Sequence, residues 1–370
     1  MGLRIKSGCT PQLNPGGAVW IGPKLHGLAT EMVDESGVLW SVCERMDGSR
    51  SREEIVEQVL AEHSADPDAD IESIGEVVDF LVASGWVEDT SAPLPPELSA
   101  REVERYRCSA EFLTNIDLRP EVTGYGLQAR LRAARVAVLG LGGVGSAAAT
   151  SLAASGIGEI RCIDHDVVEL SNLNRQLLFS EADIGRSKVE AGVAHLRARN
   201  SDIIVTGSEL FLDGPEAIAR SVKDCDAFLL CADRPDDIAV WANEAAYHCG
   251  TPWLTASYSG PKFSLATFIP GQTGCLHCLV ATHEEKQLVS GVAPVGPAYV
   301  SRTRNPVIAP TAQIAGHYLA METIRLLLGM TVQTAGRELY RYAVDYDQQY
   351  YLDARPRPDC PVDCGASAAQ

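Results

Sequence analysis

A glycine-rich loop, Gly140-Leu141-Gly142-Gly143-Val144-Gly145, restricts the fold of this chain more than any other segment. It follows the apolar run 135–139, which predicts a buried strand, and precedes an alanine-rich run that predicts a helix. In such a unit the first glycine permits a tight turn, the second lets backbone amides approach a phosphate, and the last allows close helix–strand contact. The helix N-terminus attracts the anion, so the loop predicts a nucleotide-binding α/β fold, with a purely structural turn as the alternative. The candidate nucleotide-binding glycines are Gly140, Gly142, Gly143 and Gly145.

The charge of the chain excludes several classes of partner. Among 370 residues, 31 are Lys or Arg and 49 are Asp or Glu, which gives a net charge of −18. Such a chain repels nucleic acid and offers it no continuous basic stripe. No apolar stretch reaches the roughly 18 residues that a membrane span needs, and no secretory leader is recognisable. We therefore expect a cytoplasmic protein that binds neither nucleic acid nor a membrane.

Polar and basic residues follow the glycine loop. Residues 159–163 predict the next strand, after which Asp164, with Asp166 close by, stands where a ribose-binding acid is found in such folds. Arg175 and Lys188 come next along the chain. Two fixed cations beside a phosphate site can stabilise the charge that moves onto departing pyrophosphate, although ordinary surface ion pairs are the alternative. A nicotinamide enzyme has no need of these groups, so the segment favours ATP chemistry.

A further acidic residue follows another apolar run. Residues 227–232 predict a strand, so the Asp233 carboxylate should emerge at the carboxyl edge of the sheet, where open α/β sheets bind ligands. A carboxylate oxygen is a ligand that Mg²⁺ prefers. The alternative is that Asp233 caps a helix N-terminus.

The stretch from Arg135 to Lys188 is similar to ThiF, MoeB, HesA and the adenylation domains of ubiquitin-activating enzymes, and the similarity continues to the C-terminus. The resemblance implies an ATP- and Mg²⁺-dependent enzyme that activates a carboxylate as an acyl-adenylate. It implies an α/β fold with a Rossmann-like, doubly wound mixed sheet. By the same resemblance Asp164 holds the ribose, Lys188 stabilises the transition state and Asp233 serves magnesium. The residues implied to contact phosphates or ribose are Asn172, Arg175 and Gln176.

The resemblance also implies a homodimer, because the family builds each site beside the partner chain. The partner usually supplies an arginine finger within a motif resembling Arg-Tyr-x-Arg-Gln. This chain has Arg105-Tyr106-Arg107-Cys108, which places Cys108 at the finger position. Arg107 or Arg105 must therefore substitute, or the role is lost.

Four of the eleven cysteines form two close-spaced pairs, Cys275 with Cys278 and Cys360 with Cys364. Four thiolates at these spacings can close a tetrahedral, structural zinc site, with free or disulfide-linked thiols as the alternative. No cysteine lies between the two pairs. Related enzymes that pass an acyl group to a thioester carry a nucleophilic cysteine in the crossover stretch, here 282–310. The enzyme is therefore expected to stop at the adenylate.

The first ninety residues predict a smaller, separate domain. The sequence predicts three helices in this domain. The first runs from Gly37 to Arg45, the second begins after the capping-box residue Ser51, and the third covers 71–82 and ends at Gly85. Proline-rich residues 91–98 predict a linker, and 99–370 form the second domain. Residues 1–90 resemble the PqqD-like winged helix known as the RiPP recognition element. That family docks a precursor peptide as an added strand, whereas an unspecialised winged helix is the alternative.

Together these features resemble the microcin C synthetase type of enzyme in ribosomal peptide maturation. The predicted function is adenylation of a carboxylate on a precursor peptide, with release of pyrophosphate, and further biosynthetic enzymes are potential partners. One alternative is a MoeB-like activator of a small sulfur-carrier protein. A second is a non-catalytic adaptor that presents a leader peptide to another enzyme. A nicotinamide oxidoreductase is the weakest alternative, because the segment 172–176 and the cysteine pairs count against it.

Overall fold

The computed structural model describes residues 2–23, 29–289, 306–342 and 348–364. The chain divides into two compact units, Met1–Ala129 and Arg130–Gln370. Within the described residues we find no helix with both the length and the apolar character that a membrane crossing requires.

The first unit combines short strands with helices. Its strands are β1 (Leu3–Ile5), β2 (Gln12–Leu13), β3 (Val19–Ile21), β4 (Thr30–Met32) and β5 (Val87–Asp89). Its helices are α1 (Val38–Arg45), α2 (Arg52–Glu62), α3 (Ile71–Ala83), α4 (Ala100–Arg105) and α5 (Arg107–Ile116), followed by α6 (Gly124–Ala133), within which the division falls. Strands β2, β3 and β4 form an antiparallel sheet, and β1 pairs with β5. The helices α4 and α5, which follow the predicted linker, fall in this first unit and not in the second as predicted. One contact within the unit joins its two ends, since the Lys6 ammonium donates to the Asp117 carbonyl at 3.0 Å.

Local sequence signals explain where these helices begin and end. Ser51 and Glu54 form the predicted capping box of α2, and Ser99 with Glu102 forms that of α4. Gly85 follows α3 with φ +71°, a conformation in which a Cβ would be strained. The predicted starts and stops are therefore confirmed. The apolar faces of α2 and α3 meet in one buried core that includes Ile55 and Val78.

The second unit is built on a sheet that, over the described residues, has eight strands. These are β6 (Arg135–Leu139), β7 (Glu159–Asp164), β8 (Ile204–Glu209), β9 (Ala227–Leu230), β10 (Trp253–Ser259), β11 (Lys262–Phe268), β12 (Arg337–Tyr342) and β13 (Gln349–Asp353). The helices are α7 (Gly143–Ala154), α8 (Lys188–Arg199), α9 (Pro215–Ser221), α10 (Ile238–Cys249), α11 (Leu276–Val289) and α12 (Ala309–Leu327).

The strand order is β13-β12-β11-β10-β9-β6-β7-β8. The neighbours in the run β8-β7-β6-β9-β10 pair in parallel, and the neighbours in the run β10-β11-β12-β13 pair antiparallel. The predicted mixed α/β sheet is therefore confirmed. The chain moves outward from β6 to β8 and then returns to β9 on the other side of β6. This reversal creates a topological switch point between β6 and β9, where such sheets bind ligands.

Candidate active site

A cavity of about 450 Å³ opens at the carboxyl ends of the parallel strands. Its walls come from the segments after β6, β7 and β9 and from the end of β10. It therefore lies at the switch point. Every residue predicted to bind nucleotide lines it, with the exception of Gly145.

The glycine loop has the geometry that the sequence predicts. Gly140 has φ +95°, and an added Cβ would lie 2.7 Å from the backbone nitrogen of Ala232. A Cβ on Gly145 would lie 1.8 Å from the carbonyl oxygen of Gly140, so α7 packs directly on the turn. Nothing lies within 4 Å of a Cβ on Gly142, whose surroundings are open to the cavity. Two of the glycines thus serve packing, and Gly142 leaves space for a ligand.

Two acidic residues, one at the end of β7 and one just after it, organise the glycine loop and a buried lysine. The Asp164 carboxylate is buried and accepts hydrogen bonds from the amides of Leu141 (2.6 Å) and Asp166 (2.9 Å). Lys188, at the first turn of α8, is also buried, and its ammonium lies 2.7 Å from the Asp166 carboxylate. The tertiary fold therefore brings together an acid and a cation that are 22 residues apart.

Arg175 reaches the same cavity from the loop after β7. Its guanidinium donates to the Ser171 carbonyl and to Asn174 Oδ1, both at 2.9 Å. Arg175 also hydrogen-bonds to Tyr258 at the end of β10, and burial raises the pKa of that phenol. Gln313 on α12 donates to the Arg175 carbonyl at 2.9 Å. Arg175 is therefore held by contacts within its own turn, by β10 and by α12.

The neighbouring amides differ in their contacts. Asn172 is buried, and its Oδ1 accepts from the Glu169 amide at 3.2 Å, which closes the turn that carries the arginine. Gln176 is buried beside the cavity, and its Oε1 has no hydrogen-bond partner among the described residues. An orphaned buried acceptor of this type is consistent with a bound hydrogen-bond donor.

Asp233 lies on the rim of the cavity after β9 and is exposed. The alternative that it caps a helix is wrong, because α10 begins at Ile238 with Asp237 at the N-cap. The segment between β9 and α10 spaces Asp233 away from that helix. Its carboxylate makes no hydrogen bond to another described residue, which leaves it available to a cation.

The four paired cysteines converge in the second unit. Their Sγ atoms lie within 4.8 Å of one another, and all four residues are buried. The Cys275–Cys360 and Cys278–Cys364 separations are both 3.4 Å. Zinc–sulfur bonds of about 2.3 Å in a tetrahedron place sulfurs at roughly this spacing. The cluster can hold zinc.

Burial acts on the protonation of these thiols. Desolvation raises the pKa of Cys275 strongly and that of Cys364 to about 12. For Cys360 burial also opposes ionisation, but hydrogen bonds from nearby backbone amides lower its pKa overall. Without a cation, four buried thiolates in one cluster are unfavourable, because each would lie in a poorly solvated site beside like charges. A bound divalent ion removes this penalty.

Comparison with known proteins identifies the family. The sequence model of the ThiF family matches residues 114–362 of this chain. The chain belongs to the ThiF family. Sulfur carrier protein ThiS adenylyltransferase of Escherichia coli (strain K12) is 34% identical over 243 residues, 65% of this chain and 90% of the relative. SAMP-activating enzyme E1 of Haloferax volcanii is 30% identical over 269 residues, 72% of this chain and 91% of the relative. This ThiF-family chain is an ATP-dependent adenylyltransferase.

Solved structures extend the likeness in fold to nearly the whole chain. Escherichia coli MccB with AMPCPP and MccA has a TM-score of 0.74 and 23% identity, and the match covers 98% of this chain and 99% of MccB. MccB with ATP also has a TM-score of 0.74, with 22% identity and the same coverage. At this identity the likeness establishes the fold.

Some features of this ThiF-family site were not predicted. Gln313 and Tyr258 hold Arg175, and Ser257 lines the cavity wall. They lie 82 or more positions after Arg175 in the sequence, on strands and helices with no motif of their own. The sequence signal that could have pointed to Ser257 and Tyr258 is the set of hydroxyl-bearing residues that follows the apolar residues at the start of β10. The predicted finger residues Arg105 and Arg107 are exposed and belong to the first unit. Their role in catalysis stays a prediction.

Proposed function

We propose that this enzyme adenylates a carboxylate on a ribosomally made precursor peptide and releases pyrophosphate. The observation that carries the proposal is a groove in the first unit, which an adenylating domain does not need for its own chemistry. The likeness in fold to MccB, solved with MccA, supports the proposal because it includes this unit. We further propose that residues 1–90 act as a winged-helix recognition domain, followed by the linker 91–98, and that the adenylation chemistry takes place in the second unit, Arg130–Gln370.

The groove has a cavity volume of about 630 Å³ and lies beside β4. Among the described strands, β4 pairs only with β3, so its other edge is open to an added strand. Apolar side chains line the groove together with Asp34, Glu35, Asp66, Asp68 and Glu76, and among the residues that the structure describes no Lys or Arg lines it. An extended peptide with basic and apolar side chains would complement this surface.

In the proposed reaction an oxygen of the substrate carboxylate attacks the α-phosphorus of ATP. A bond forms between that oxygen and phosphorus, and the bond from phosphorus to the pyrophosphate oxygen breaks. The amides of the glycine loop and the N-terminus of α7 bind phosphate oxygens, and Asp164 binds the ribose hydroxyls. Mg²⁺ held at Asp233 would neutralise negative charge on the departing pyrophosphate.

Lys188 and Arg175 provide the two fixed cations of this mechanism. Asp166 holds the Lys188 ammonium at 2.7 Å, and a nearby phosphate oxygen could share that ammonium, which has three hydrogens to donate. Burial of Lys188 reduces screening by water and therefore strengthens its interaction with a developing negative charge. Asn172 and Gln176 complete the proposed nucleotide contacts. We propose Arg107 as the finger that acts across a homodimer.

A second candidate is activation of a small sulfur-carrier protein. The 34% identity to the ThiS adenylyltransferase favours it, because that relative is more similar in sequence than the solved structures are. Both candidates use the same chemistry at the cavity. They differ in whether the groove of the first unit contributes to substrate binding.

ATP–pyrophosphate exchange tests the adenylation step. Purified protein is assayed with synthetic peptides from neighbouring reading frames and, separately, with small carrier proteins. Peptide-dependent exchange is expected, and Lys188→Ala should lower it at least a hundredfold, since one preorganised group of this type contributes about 10²–10³. Lys223→Ala, an exposed lysine outside the cavity, is the matched control and should leave the exchange rate unchanged.

Exchange with a carrier protein alone would instead support the second candidate. No exchange with any peptide or carrier, from protein that is folded and binds ATP, would contradict adenylation and favour the non-catalytic adaptor.

Charge reversal tests the groove. Glu76→Lys changes an exposed groove residue on α3, and Glu57→Lys makes the same change on α2 outside the groove. Fluorescence anisotropy with a labelled peptide should show severalfold weaker binding for the first variant and wild-type binding for the second. Equal affinities for both variants would show that the groove does not hold the peptide.

A further inference from the structure

Gln313, the fifth residue of α12, joins two segments of the nucleotide site without lining the cavity itself. Its side-chain Nε2 donates to the Arg175 carbonyl at 2.9 Å and lies 3.5 Å from the Gly143 carbonyl oxygen. These two residues are 138 and 170 positions away in the sequence. One side-chain amide thus contacts both the turn that carries Arg175, residues 170–176 (the arginine loop), and the first residue of α7.

Helix α12 is itself fixed against α7. An added Cβ on Gly316, three residues after Gln313, would lie 2.5 Å from the Val144 carbonyl oxygen and 2.5 Å from Ala147 Cβ. The backbones of the two helices are therefore in close contact at Gly316, where only glycine fits. Residues three positions apart share one face of a helix, so Gln313 lies on the face that packs on α7. The backbone of α12 provides a rigid support for the Gln313 side chain.

Arg175 depends on this support because its carbonyl has no backbone partner. Among the described residues, no backbone amide donates to that carbonyl, and Gln313 supplies its hydrogen bond. The Arg175 side chain then passes close to Gly143, where an added Cβ would lie 3.4 Å from Arg175 Cγ and 3.0 Å from Ala312 Cβ. The glycine loop, the arginine loop and the start of α12 therefore meet at Gly143.

The hydrogen bonds of the Arg175 guanidinium show why its position matters. Both hydrogens of Nη1 are used within the arginine loop, by the Ser171 carbonyl and by Asn174 Oδ1. A guanidinium has five N–H groups, so at least two remain for a phosphate even when Tyr258 takes one. Two N–H groups can bind a phosphate in bidentate fashion, which requires a fixed direction as well as a fixed distance. A shift of the Arg175 backbone would turn these two groups away from the phosphate.

We propose that Gln313 is a positioning residue for adenylation, which holds the backbone of Arg175 beside Gly143 so that the guanidinium is aligned before the reaction begins. Its contacts are made between protein groups alone, so they do not depend on bound ATP. A preorganised cation lowers the barrier because it need not reorient when negative charge moves onto pyrophosphate. The role of Gln313 rests on the proposed function, which gives Arg175 the task of stabilising that charge.

Gln313→Met tests the hydrogen bond, because methionine has a similar length and a similar preference for helix but no donor. The assay is ATP–pyrophosphate exchange with the synthetic peptide or carrier protein that supports it. We expect kcat to fall about tenfold, within the roughly hundredfold that a misplacement of about 1 Å can cost. The KM for ATP and the Tm should be unchanged. Gln333→Met, an exposed glutamine of the same unit outside the cavity, is the matched control and should keep the wild-type kcat.

A double-mutant cycle separates positioning from a merely structural role. If Gln313 acts through Arg175, adding Gln313→Met to Arg175→Ala should cause no further loss of kcat. A structural role would lower kcat by the same factor with and without the arginine. Losses that multiply in the double variant would therefore overturn the inference.

Amide hydrogen exchange gives a readout that does not depend on activity. Gln313→Asn, which keeps the amide but is one methylene shorter, serves as a second variant and should repeat the loss of kcat. Without ATP, the amides of residues 170–176 should exchange about threefold to tenfold faster in both Gln313 variants, the range for loss of one hydrogen bond, and at the wild-type rate in Gln333→Met. Wild-type protection of this loop in both Gln313 variants would show that Gln313 does not hold it, which contradicts the proposal.

Failure of this inference is distinguishable from failure of the proposed function. Wild-type kcat in both Gln313 variants would overturn the positioning role and leave adenylation in place. Wild-type kcat in Arg175→Ala would overturn the role of Arg175 and, with it, that of Gln313. Absence of exchange from the wild-type protein would overturn adenylation and the step in which Gln313 is proposed to act.

Discussion

Alanine at position 145 tests the glycine loop as a packing device. The added Cβ would lie 1.8 Å from the Gly140 carbonyl oxygen and 3.0 Å from Cys231 Cβ. Ordinary contact begins at 3.4 Å, so α7 must move by about 1.6 Å, the difference between 3.4 and 1.8. Overpacking of this type costs about 1–3 kcal/mol, because a backbone oxygen cannot rotate away. For Gly145→Ala we expect a cost of about 2 kcal/mol and, in a unit of this size, a fall in Tm of about 4–8 °C.

Gly142→Ala is the matched change three residues earlier in the same loop. Nothing lies within 4 Å of its added Cβ, and the φ of −67° suits any residue. Stability should therefore be unchanged, or higher by about 0.4–1 kcal/mol because alanine restricts the unfolded chain. The methyl group would instead occupy space between the loop and a bound phosphate. We expect the Kd for ATP to rise about tenfold, as for loss of one hydrogen bond to a charged group.

Thermal and urea unfolding without nucleotide, together with calorimetric titration of a non-hydrolysable ATP analogue, measure both effects. The two variants should separate stability from nucleotide binding. A Gly145→Ala protein that melts at the wild-type temperature would refute the close approach of helix and turn. A Gly142→Ala protein with wild-type affinity would refute the placement of phosphate at this loop.

Three further outcomes are expected. If the four-cysteine cluster binds zinc, the ion would tie the two cysteine pairs together, so Cys278→Ser should lower both bound zinc, measured by metal analysis, and Tm. The exposed Cys249→Ser should change neither. Although burial opposes ionisation, hydrogen bonds from a backbone amide and from His195 hold the pKa of Asp183 at about 2, below its ordinary 3.8. The free energy of unfolding that this low pKa contributes is present above pH 3.8 and is lost as the pH falls toward 2. The difference in urea midpoint between wild type and Asp183→Asn should therefore shrink over that range. A difference that stays constant would contradict the low pKa of Asp183. Ser51→Ala removes a capping box and should destabilise the first unit by about 1 kcal/mol in urea unfolding, and an unchanged midpoint would show that the cap contributes nothing.

Local features of the fold could be predicted from the sequence because their causes are local. Ser51 and Ser99 have a glutamate three residues later, and each forms a capping box. Gly85 and Gly140 occupy backbone conformations with positive φ, which restrict the choice of residue at those positions. The apolar runs before the glycine loop and before Asp233 became neighbouring parallel strands, since buried strands of a parallel sheet are apolar on both faces.

The candidate site could be predicted only in part. The glycine loop, Arg175 and Lys188 belong to one stretch of about fifty residues, so a family pattern reveals them together. The pair between Asp166 and Lys188, and the support of Arg175 by Gln313, required the fold, because they depend on how distant elements pack. Whether Asp233 caps a helix also depended on the fold. It does not, because α10 begins five residues later.

The sequence by itself determined the nucleotide fold, the cysteine pairs and the identity of the candidate cations. These follow from glycine, apolar and cysteine spacings, whose physical effects act within one turn, one strand or one metal site. Only the tertiary structure decided which distant groups meet beside the cavity. Gly143, Arg175 and Gln313 span 170 residues of sequence yet come together at one point, because the packing of α12 against α7 brings into contact groups that no local pattern relates.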